Sequence, residues 1–197
     1  MTPDDIYHYI SLIDNTTAHT LALTKLPIEI TKYLLAHGFI FLQSNNNEAT
    51  LTEAGEWLPF IDKRFKRRWP IVSSLGSGGF GAAFRLIDGT TLKVTSDGDE
   101  IPCAQYLVRH PQLHPNLPAV YEADYLTNIH GNIIGFYIRE ELDDALSIGG
   151  DRSLIAKDIL LKTGIILGDW EQNSNWGTRG LEGTIVFRDL RCYPSQV

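Results

Sequence analysis

The segment SSLGSGGFGAAFRLIDGTTLKV, residues 73–94, constrains the fold of this chain more than any other stretch. It contains five glycines and a lysine, Lys93, in a strand-like run directly behind them. A dinucleotide-binding fold would need a strand before the glycines and a helix after them. Here the glycines lead into AAFRLI and then TLKVT, and Asp88-Gly89 between these runs is typical of a tight hairpin turn. The segment therefore predicts a glycine loop within an antiparallel hairpin.

These residues resemble the nucleotide-binding loop of protein kinases. The L-G-x-G-x-F-G form of that loop is reproduced by Leu75, Gly76, Gly78, Phe80 and Gly81. Lys93 matches the third-strand lysine that pairs the ATP phosphates in this family, and Ala83 stands where the family usually has valine. Glycines let backbone N–H groups approach phosphates, and lysine supplies a compact positive charge. The resemblance implies ATP binding; the alternative is a flexible hairpin with a surface lysine.

The resemblance continues in the same order through residues 71–144. The segment DEIPCAQYLVRHPQ predicts a helix with Ala104 and Leu107 facing inward, and HPNLP resembles the loop that leads into the fourth kinase strand. IIGFYIREEL resembles the fifth strand and the hinge, where the backbone of Glu140 to Leu142 would meet adenine. These segments together imply a five-stranded antiparallel small lobe.

Two positions depart from the family pattern in this part of the chain. The resemblance places the acidic partner of the lysine at Gln105, so Glu100, at the start of the predicted helix, is the nearest acidic candidate. Arg139 stands before the hinge glutamate, where kinases usually keep an apolar or small residue. Its side chain would either crowd the adenine pocket or pair with a carboxylate such as Glu141.

A shortened catalytic half is predicted in ILGDWEQNSNWGTRGLEGTIVFRDLR. Asp169 follows a hydrophobic run and resembles the base that orients the acceptor hydroxyl. Asn175 resembles the metal-binding asparagine, with Asn173 as the alternative, because the family spacing falls between them on Ser174. The competing interpretation of Asp169 is an ordinary loop acid.

The metal aspartate of the family is matched by Asp189. It ends the predicted strand GTIVFRDL, although Leu190-Arg191 replaces the usual Phe-Gly. Magnesium needs hard oxygen ligands, which Asp189 and Asn175 would supply. Asp189 has the same competing interpretation as Asp169. Few residues follow Asp189, so the chain is predicted to hold a full small lobe and a helical stub, SLIAKDILLKTG, of the large one.

The first 62 residues resemble a winged helix-turn-helix module. Helices are predicted over IYHYISLI, AHTLALTK and IEITKYLLAHG, the last one ending at Gly38. A hairpin of FIFLQ and ATLT should follow, and EAGEWLPFI should close the module as a helix. The resemblance is carried by LPIEITKYLLAHGFI and ATLTEAGEWL.

Charge divides the chain and limits its partners. Residues 1–62 and the part from Trp69 onward are both acidic, and the basic run KRFKRR lies between them, within a net charge of −7. We therefore predict a module at 1–62, a linker at 63–70 and a miniature kinase-like domain at 71–197. The predicted recognition helix offers only Lys32, beside Glu29, which argues against nucleic acid as a partner.

The sequence thus predicts an α+β protein that binds ATP and magnesium and transfers phosphate to a protein hydroxyl, including its own. The alternatives are a pseudokinase that acts through a protein partner and, third, a DNA-binding regulator. A missing lobe would expose apolar surface that a partner or a second copy, as in a homodimer, would cover. The chain has only two cysteines, and it has neither an apolar run long enough to span a membrane nor a start that resembles a signal peptide. We therefore predict a cytoplasmic protein without membrane contact.

Overall fold

The computed structural model describes residues 3–14, 16, 20–37, 39–43, 47–52, 55, 71–127, 133–144, 151–180 and 183–194. These residues form an α+β structure, which confirms the predicted class. The helices are α1 (Pro3–Asp14), α2 (Ile28–Ala36), α3 (Glu100–Arg109) and α4 (Arg152–Thr163). The first strands are β1 (Thr20–Ala22), β2 (Ile40–Leu42), β3 (Glu48–Leu51), β4 (Ile71–Gly78), β5 (Gly81–Leu86) and β6 (Thr90–Thr95). The later strands are β7 (Val120–Thr127), β8 (Ile133–Glu140), β9 (Asp143–Asp144), β10 (Ile165–Leu167), β11 (Trp176–Arg179), β12 (Thr184–Phe187) and β13 (Cys192–Pro194).

The strands form four sheets, with the orders β1-β3-β2, β4-β5-β6-β8-β7, β12-β11-β9 and β10-β13. Neighbouring strands run antiparallel in the β1-β3-β2, β12-β11-β9 and β10-β13 sheets and in the β4-β5-β6 part of the largest one. None of the described helices combines the length and the apolar character needed to cross a membrane. The chain divides into two compact units: a first unit of residues 1–96 and 126–134, and a second unit of residues 97–125 and 135–197.

The N-terminal part of the first unit follows the predicted order with one correction. The segment AHTLALTK is not a helix: it forms β1 and a single 3₁₀ turn, Leu23–Lys25. β1 pairs with β3, where the hydroxyl oxygens of Thr20 and Thr50 lie 3.0 Å apart and Leu21 is buried. Pairing with a distant strand thus overrides the helical preference of the segment. The hairpin of β2 and β3 forms as predicted.

α2 begins after Pro27, as predicted, and buries Ile30 and Leu34. Its exposed cation, Lys32, lies 3.4 Å from Glu29 of the same helix, so the described part of α2 presents no basic surface. Several sequence predictions lie outside the described residues: the stop at Gly38, the basic run 63–68, the linker 63–70 and, apart from Gly55, the closing helix. The predicted seam between two domains therefore stays a prediction.

The core of the second unit is built around α3. Glu100 to Arg109 form the helix, within the predicted segment, and both Ala104 and Leu107 are buried as expected. Apolar residues of α4, β8 and β10 to β13 complete the cluster: Tyr137, Ile159, Ile165, Leu167, Trp176, Phe187 and Cys192.

α4 confirms the helix predicted from SLIAKDILLKTG. The Asp151 carboxylate caps its start by accepting hydrogen bonds from the backbone N–H groups of Ser153 and Leu154, and Gly164 ends it in the left-handed conformation. β10 follows directly and pairs with β13, with Leu167 opposite Cys192. This pairing brings the residues after β10 next to those before β13.

Candidate functional site

The glycine segment of the first unit forms the predicted hairpin. β4 and β5 pair with Gly78 opposite Gly81, so Gly79 and Phe80 form the turn. Ser96 N–H and the Thr95 hydroxyl donate to the Phe80 carbonyl over 2.7 and 3.1 Å, which fixes the backbone of the turn to the end of β6. The Phe80 side chain is 66% exposed.

On one face of the β4-β5-β6 meander, glycine and other small residues surround Lys93. Cross-strand pairing aligns Gly76, Ala83 and Lys93 in one row and Gly78, Gly81 and Thr95 in the next. Side chains at paired positions share a face of the sheet. We call this surface the glycine-lined face. The opposite face is packed by Ala82, Phe84, Leu86, Leu92 and Val94. The glycine-lined face therefore combines the exposed Gly76 and Gly78 with two cations, Lys93 and Arg85.

Two of the glycines are required by geometry. Gly76 has φ +151°, which side-chain-bearing residues rarely adopt, and a Cβ on Gly81 would lie 2.1 Å from the Val94 carbonyl oxygen. A Cβ on Gly78 or Gly79 would meet no atom within 4 Å. The loop backbone is thus open at its tip and crowded at the start of β5.

Glu100 lies in the second unit, at the first turn of α3, and is only 3% exposed. Its carboxylate accepts a hydrogen bond from the Tyr137 hydroxyl over 2.9 Å. Burial raises the pKa of Tyr137, and the charge of Glu100 raises it further, so the phenol stays protonated as a donor. The sequence placed Glu100 correctly at the helix start and gave no sign of Tyr137.

The hinge candidates Glu140 to Leu142 are held by a dense set of contacts. Both carboxylate oxygens of Glu140 bind the Arg179 guanidinium, which also donates to the Pro115 and Leu117 carbonyls over 2.9 Å each. This hydrogen bonding with Glu140 raises the pKa of Arg179. The main chain of Glu140 is engaged as well, since its N–H donates to the Ala119 carbonyl over 2.9 Å. These contacts fix the segment in position, and its last residue, Leu142, is buried.

Asp169 lies directly after β10 in an unusual backbone conformation. Its φ is +49°, in the left-handed region that few residues other than glycine and asparagine adopt. The preceding Gly168 donates its N–H to the Arg191 carbonyl over 2.8 Å, and a Cβ on Gly168 would lie 2.6 Å from that oxygen. The Asp169 carboxylate lies 3.3 Å from the Arg191 guanidinium. Strained residues of this kind concentrate at functional sites.

Asn175 is the better placed of the two asparagine candidates. It is 9% exposed, whereas Asn173 is exposed. Its side-chain nitrogen donates to the Asp169 carbonyl over 3.0 Å, and its own main-chain carbonyl accepts from Arg188 N–H over 2.8 Å. The side-chain oxygen accepts the Ser174 hydroxyl over 3.4 Å and keeps a second lone pair that could bind a cation.

Asp189 follows β12, two residues beyond its last residue, Phe187. Its carboxylate accepts the Arg191 N–H over 3.4 Å. Leu190, in place of phenylalanine, is fully buried in the core of the unit. Hydrogen bonds made by neighbouring residues therefore connect the three segments that carry Asp169, Asn175 and Asp189. We call these three residues the loop cluster.

The loop cluster has too few oxygen ligands to hold a hard cation by itself, so a bound phosphate ligand would have to supply the others. Among the residues that the structure describes, no group of three or more His, Cys, Asp or Glu side chains is arranged to hold a metal ion. Asp189 and Asn175 would contribute one carboxylate and one amide oxygen, which fits magnesium that takes its other ligands from phosphate and water.

Two residues that hold the candidate site together, Tyr137 and Arg179, were not predicted from the sequence, and Arg191 was noted only as a departure from the family's Phe-Gly. Each acts through a partner distant in the chain, and only Arg191, at the position of the family glycine, carried a local signal. Comparison with known proteins adds no family to this picture: no protein-family model matches the chain, and no curated protein matches it.

Proposed function

We propose that the chain is a miniature protein-kinase-like phosphotransferase, preceded by a winged helix-turn-helix-like module. It would bind ATP and magnesium and transfer the terminal phosphate to a hydroxyl of a protein, including its own. The observation that carries this proposal is the loop cluster, in which Asn175 bonds the Asp169 carbonyl with its side chain and Arg188 N–H with its main chain. These bonds connect Asn175 to Asp169 and to Arg188, the residue before Asp189, and the resemblance assigns Asp169, Asn175 and Asp189 to one catalytic centre.

The residues of the first unit would bind phosphate. The glycine-lined face would present the loop backbone to phosphate, and Lys93 would supply positive charge. The kinase resemblance assigns the role of the acidic partner of such a lysine to Glu100, a residue of the second unit. In the second unit, the resemblance assigns binding of the base to the backbone of Glu140 to Leu142. On β6, Lys93 pairs with the small Ala83 of β5.

The residues of the second unit would act on the acceptor and the metal. Asp169 would accept the proton of the attacking hydroxyl, and Asp189 and Asn175 would hold magnesium, which neutralises phosphate charge when bound. The exposed Asp169 carboxylate suits an acceptor that arrives from solvent.

Transfer of labelled phosphate from MgATP tests this proposal. Lys93→Ala, Asp169→Asn and Asp189→Asn should each reduce transfer by at least about a hundredfold. Asparagine tolerates the left-handed backbone at position 169, so that variant should keep the fold. Lys157→Ala and Asp124→Asn, at exposed positions, are the matched controls and should retain activity. An intact protein that transfers no phosphate with a cell extract as acceptor would contradict the proposal.

A specific contact favours a second function, that of a pseudokinase-type binding protein. Arg191 replaces the family glycine and lies against both Asp169, at 3.3 Å, and Asp97, at 3.6 Å. Its hydrogen bond with Tyr193 raises the pKa of the guanidinium, so Arg191 remains a cation beside the proposed base. Nucleotide-dependent stabilisation without phosphate transfer would support this second function, because a bound ligand raises the melting temperature whether or not it reacts.

A further inference from the structure

Tyr193 presents an exposed hydroxyl that is held beside a cation. It lies on β13 opposite Ile166 of β10 and is 40% exposed, so its side chain is open to solvent. Its hydroxyl donates to the Asp99 carboxylate over 3.3 Å and also forms a hydrogen bond with the Arg191 guanidinium. All of these residues belong to the second unit. A phosphate on this hydroxyl would therefore lie next to an arginine, the side chain that binds phosphate through two parallel hydrogen bonds.

The same guanidinium contacts two further carboxylates of the second unit. Nη1 of Arg191 lies 3.3 Å from Asp169, and its Nε lies 3.6 Å from Asp97. The two contacts differ in their surroundings, because the Asp97 side chain is 15% exposed and the Asp169 side chain is 46% exposed. Water and salt weaken the more exposed ion pair more strongly. The contact of Arg191 with Asp169 is therefore the one that a stronger anion would displace.

A phosphorylated tyrosine is a stronger anion than a carboxylate. It carries a charge of about −1.5 to −2 at neutral pH, and its three oxygens accept hydrogen bonds. Because the Tyr193 hydroxyl and Asp169 contact the same guanidinium, a phosphate on Tyr193 would compete with Asp169 for its charge and its donors. The phosphate would also repel the Asp99 carboxylate, which now accepts the hydroxyl proton. Both effects favour a phosphate that pairs with Arg191.

We propose that Tyr193 is a phosphorylation site and that its phosphate draws Arg191 away from Asp169. This inference rests on the proposed function, in which Asp169 is the base, and adds a control over that base. In the unmodified chain Arg191 contacts the Asp169 carboxylate; in the phosphorylated chain that carboxylate is open to an acceptor hydroxyl. The phosphate comes from ATP through a tyrosine-directed kinase. The bond between Tyr193 Oη and phosphorus forms, the bond to ADP breaks, and the hydroxyl proton passes to the carboxylate base of that kinase.

Labelling tests the site itself. A tyrosine kinase of broad specificity, supplied with MgATP, should phosphorylate the full chain at Tyr193, as located by mass spectrometry, and Tyr193→Phe should lose that label. A chain that carries no phosphate at Tyr193 after this treatment would refute the site, whichever other residues are labelled.

The pairing of the phosphate with Arg191 is tested on a chain with one defined phosphate. Cys192 directly precedes Tyr193, so a thioester of residues 1–191 can be ligated to the peptide CYPSQV, with or without phosphate on the tyrosine. Refolding then gives the full chain. In phosphorus NMR, the second pKa of the phosphate should be at least about half a unit lower in the unsubstituted chain than in Arg191→Met, because a neighbouring cation favours the more charged form. Arg109→Met, at an exposed arginine at the other end of α3 from Asp99, is the matched control and should leave that pKa unchanged.

Transfer of labelled phosphate from MgATP to a cell extract measures the control over Asp169. The phosphorylated chain should transfer about fivefold faster than the unphosphorylated chain, which is the factor by which an exposed ion pair competes. Arg191→Met without phosphate should be about as fast, because it lacks the same ion pair, and it should not respond to the phosphate. This variant keeps the test valid if the phosphorylated chain refolds poorly.

The outcomes separate this inference from the proposed function. A phosphate pKa that is the same in the unsubstituted chain and in Arg191→Met would refute the pairing. Equal transfer rates of the phosphorylated chain, the unphosphorylated chain and Arg191→Met would refute the control over Asp169, while phosphate transfer itself stands. If none of these proteins transfers phosphate, the proposed function fails and the control fails with it, and the NMR titration still decides whether Arg191 binds the phosphate.

Discussion

The residues that form the glycine-lined face are neighbours in the sequence or are paired across adjacent strands. Most of its defining positions are glycines, which shape the face because they have no side chain. In the loop cluster, Asp169 and Asp189 lie apart in the chain and are connected through Arg191, whose guanidinium donates to Asp169 and whose main-chain N–H donates to Asp189. The first region is specified by local backbone geometry, and the second by long-range hydrogen bonds. The two regions should therefore fail in different ways when they are mutated.

The largest effect on stability is expected in the glycine-lined face. Gly81→Ala places a Cβ 2.1 Å from the Val94 carbonyl and 2.9 Å from the Thr95 Cα, so the β5–β6 pairing must shift. We expect a loss of about 2–4 kcal/mol in the free energy of unfolding, measured in urea. Gly79→Ala, where the added Cβ meets no atom within 4 Å, is the matched control and should change stability by no more than about 0.5 kcal/mol. Equal losses in the two variants would show that local crowding does not specify this face.

This contrast also explains which parts of the molecule the sequence predicted. The hairpin around Gly78 and Gly81, the hairpin of β2 and β3, and α3 with its buried Ala104 and Leu107 follow from turn residues and periodicity, which are local signals. β1 was missed because its conformation depends on pairing with β3, residues that follow much later in the chain. A helical pattern in AHTLALTK carries no information about that partner.

The candidate site shows the same limit. The positions of Asp169, Asn175 and Asp189 could be marked from a family pattern, and the choice of Asn175 over Asn173 required the observed burial. Tyr137 could not be recognised, because a tyrosine in an apolar strand gives no hint that its hydroxyl meets Glu100 of α3. Side-chain partners across such separations are set by packing, which a single sequence does not display.

An intermediate effect is expected for Arg179, which fastens the hinge candidate in the second unit. Arg179→Ala removes the partner of the Glu140 carboxylate, which is 15% exposed, together with donors to two backbone carbonyls. We expect a loss of about 2–3 kcal/mol in the free energy of unfolding, since a largely buried carboxylate loses its cationic partner and keeps only the Ala119 N–H. Arg179→Lys keeps the charge without the planar group of donors and should recover only part of the loss. Full recovery with lysine would mean that charge alone holds Glu140.

The smallest effect is expected at Asp158, where the loop HPNLP meets α4. The buried His114 ring lies 3.0 Å from the Asp158 carboxylate, and Lys162 lies 2.9 Å from it. The Asn116 N–H donates to His114 Nδ1, so the proton of the ring is on Nε2 and points to Asp158. Hydrogen bonds from Lys162 and from His114 lower the pKa of Asp158 below its ordinary 3.8.

A carboxylate with a lowered pKa stabilises the fold above its unfolded pKa and loses that contribution as the pH falls through its folded pKa. The melting temperature of the unsubstituted protein should therefore exceed that of Asp158→Asn near neutral pH, and the difference should shrink below about pH 4. Asp124→Asn, at an exposed position, should show no such change. A difference that stays constant down to pH 3 would mean that the shape of Asp158, and not its charge, joins the loop to α4. The loop would then be held as the glycine-lined face is, by local geometry, and the contrast between the two regions would not extend to it.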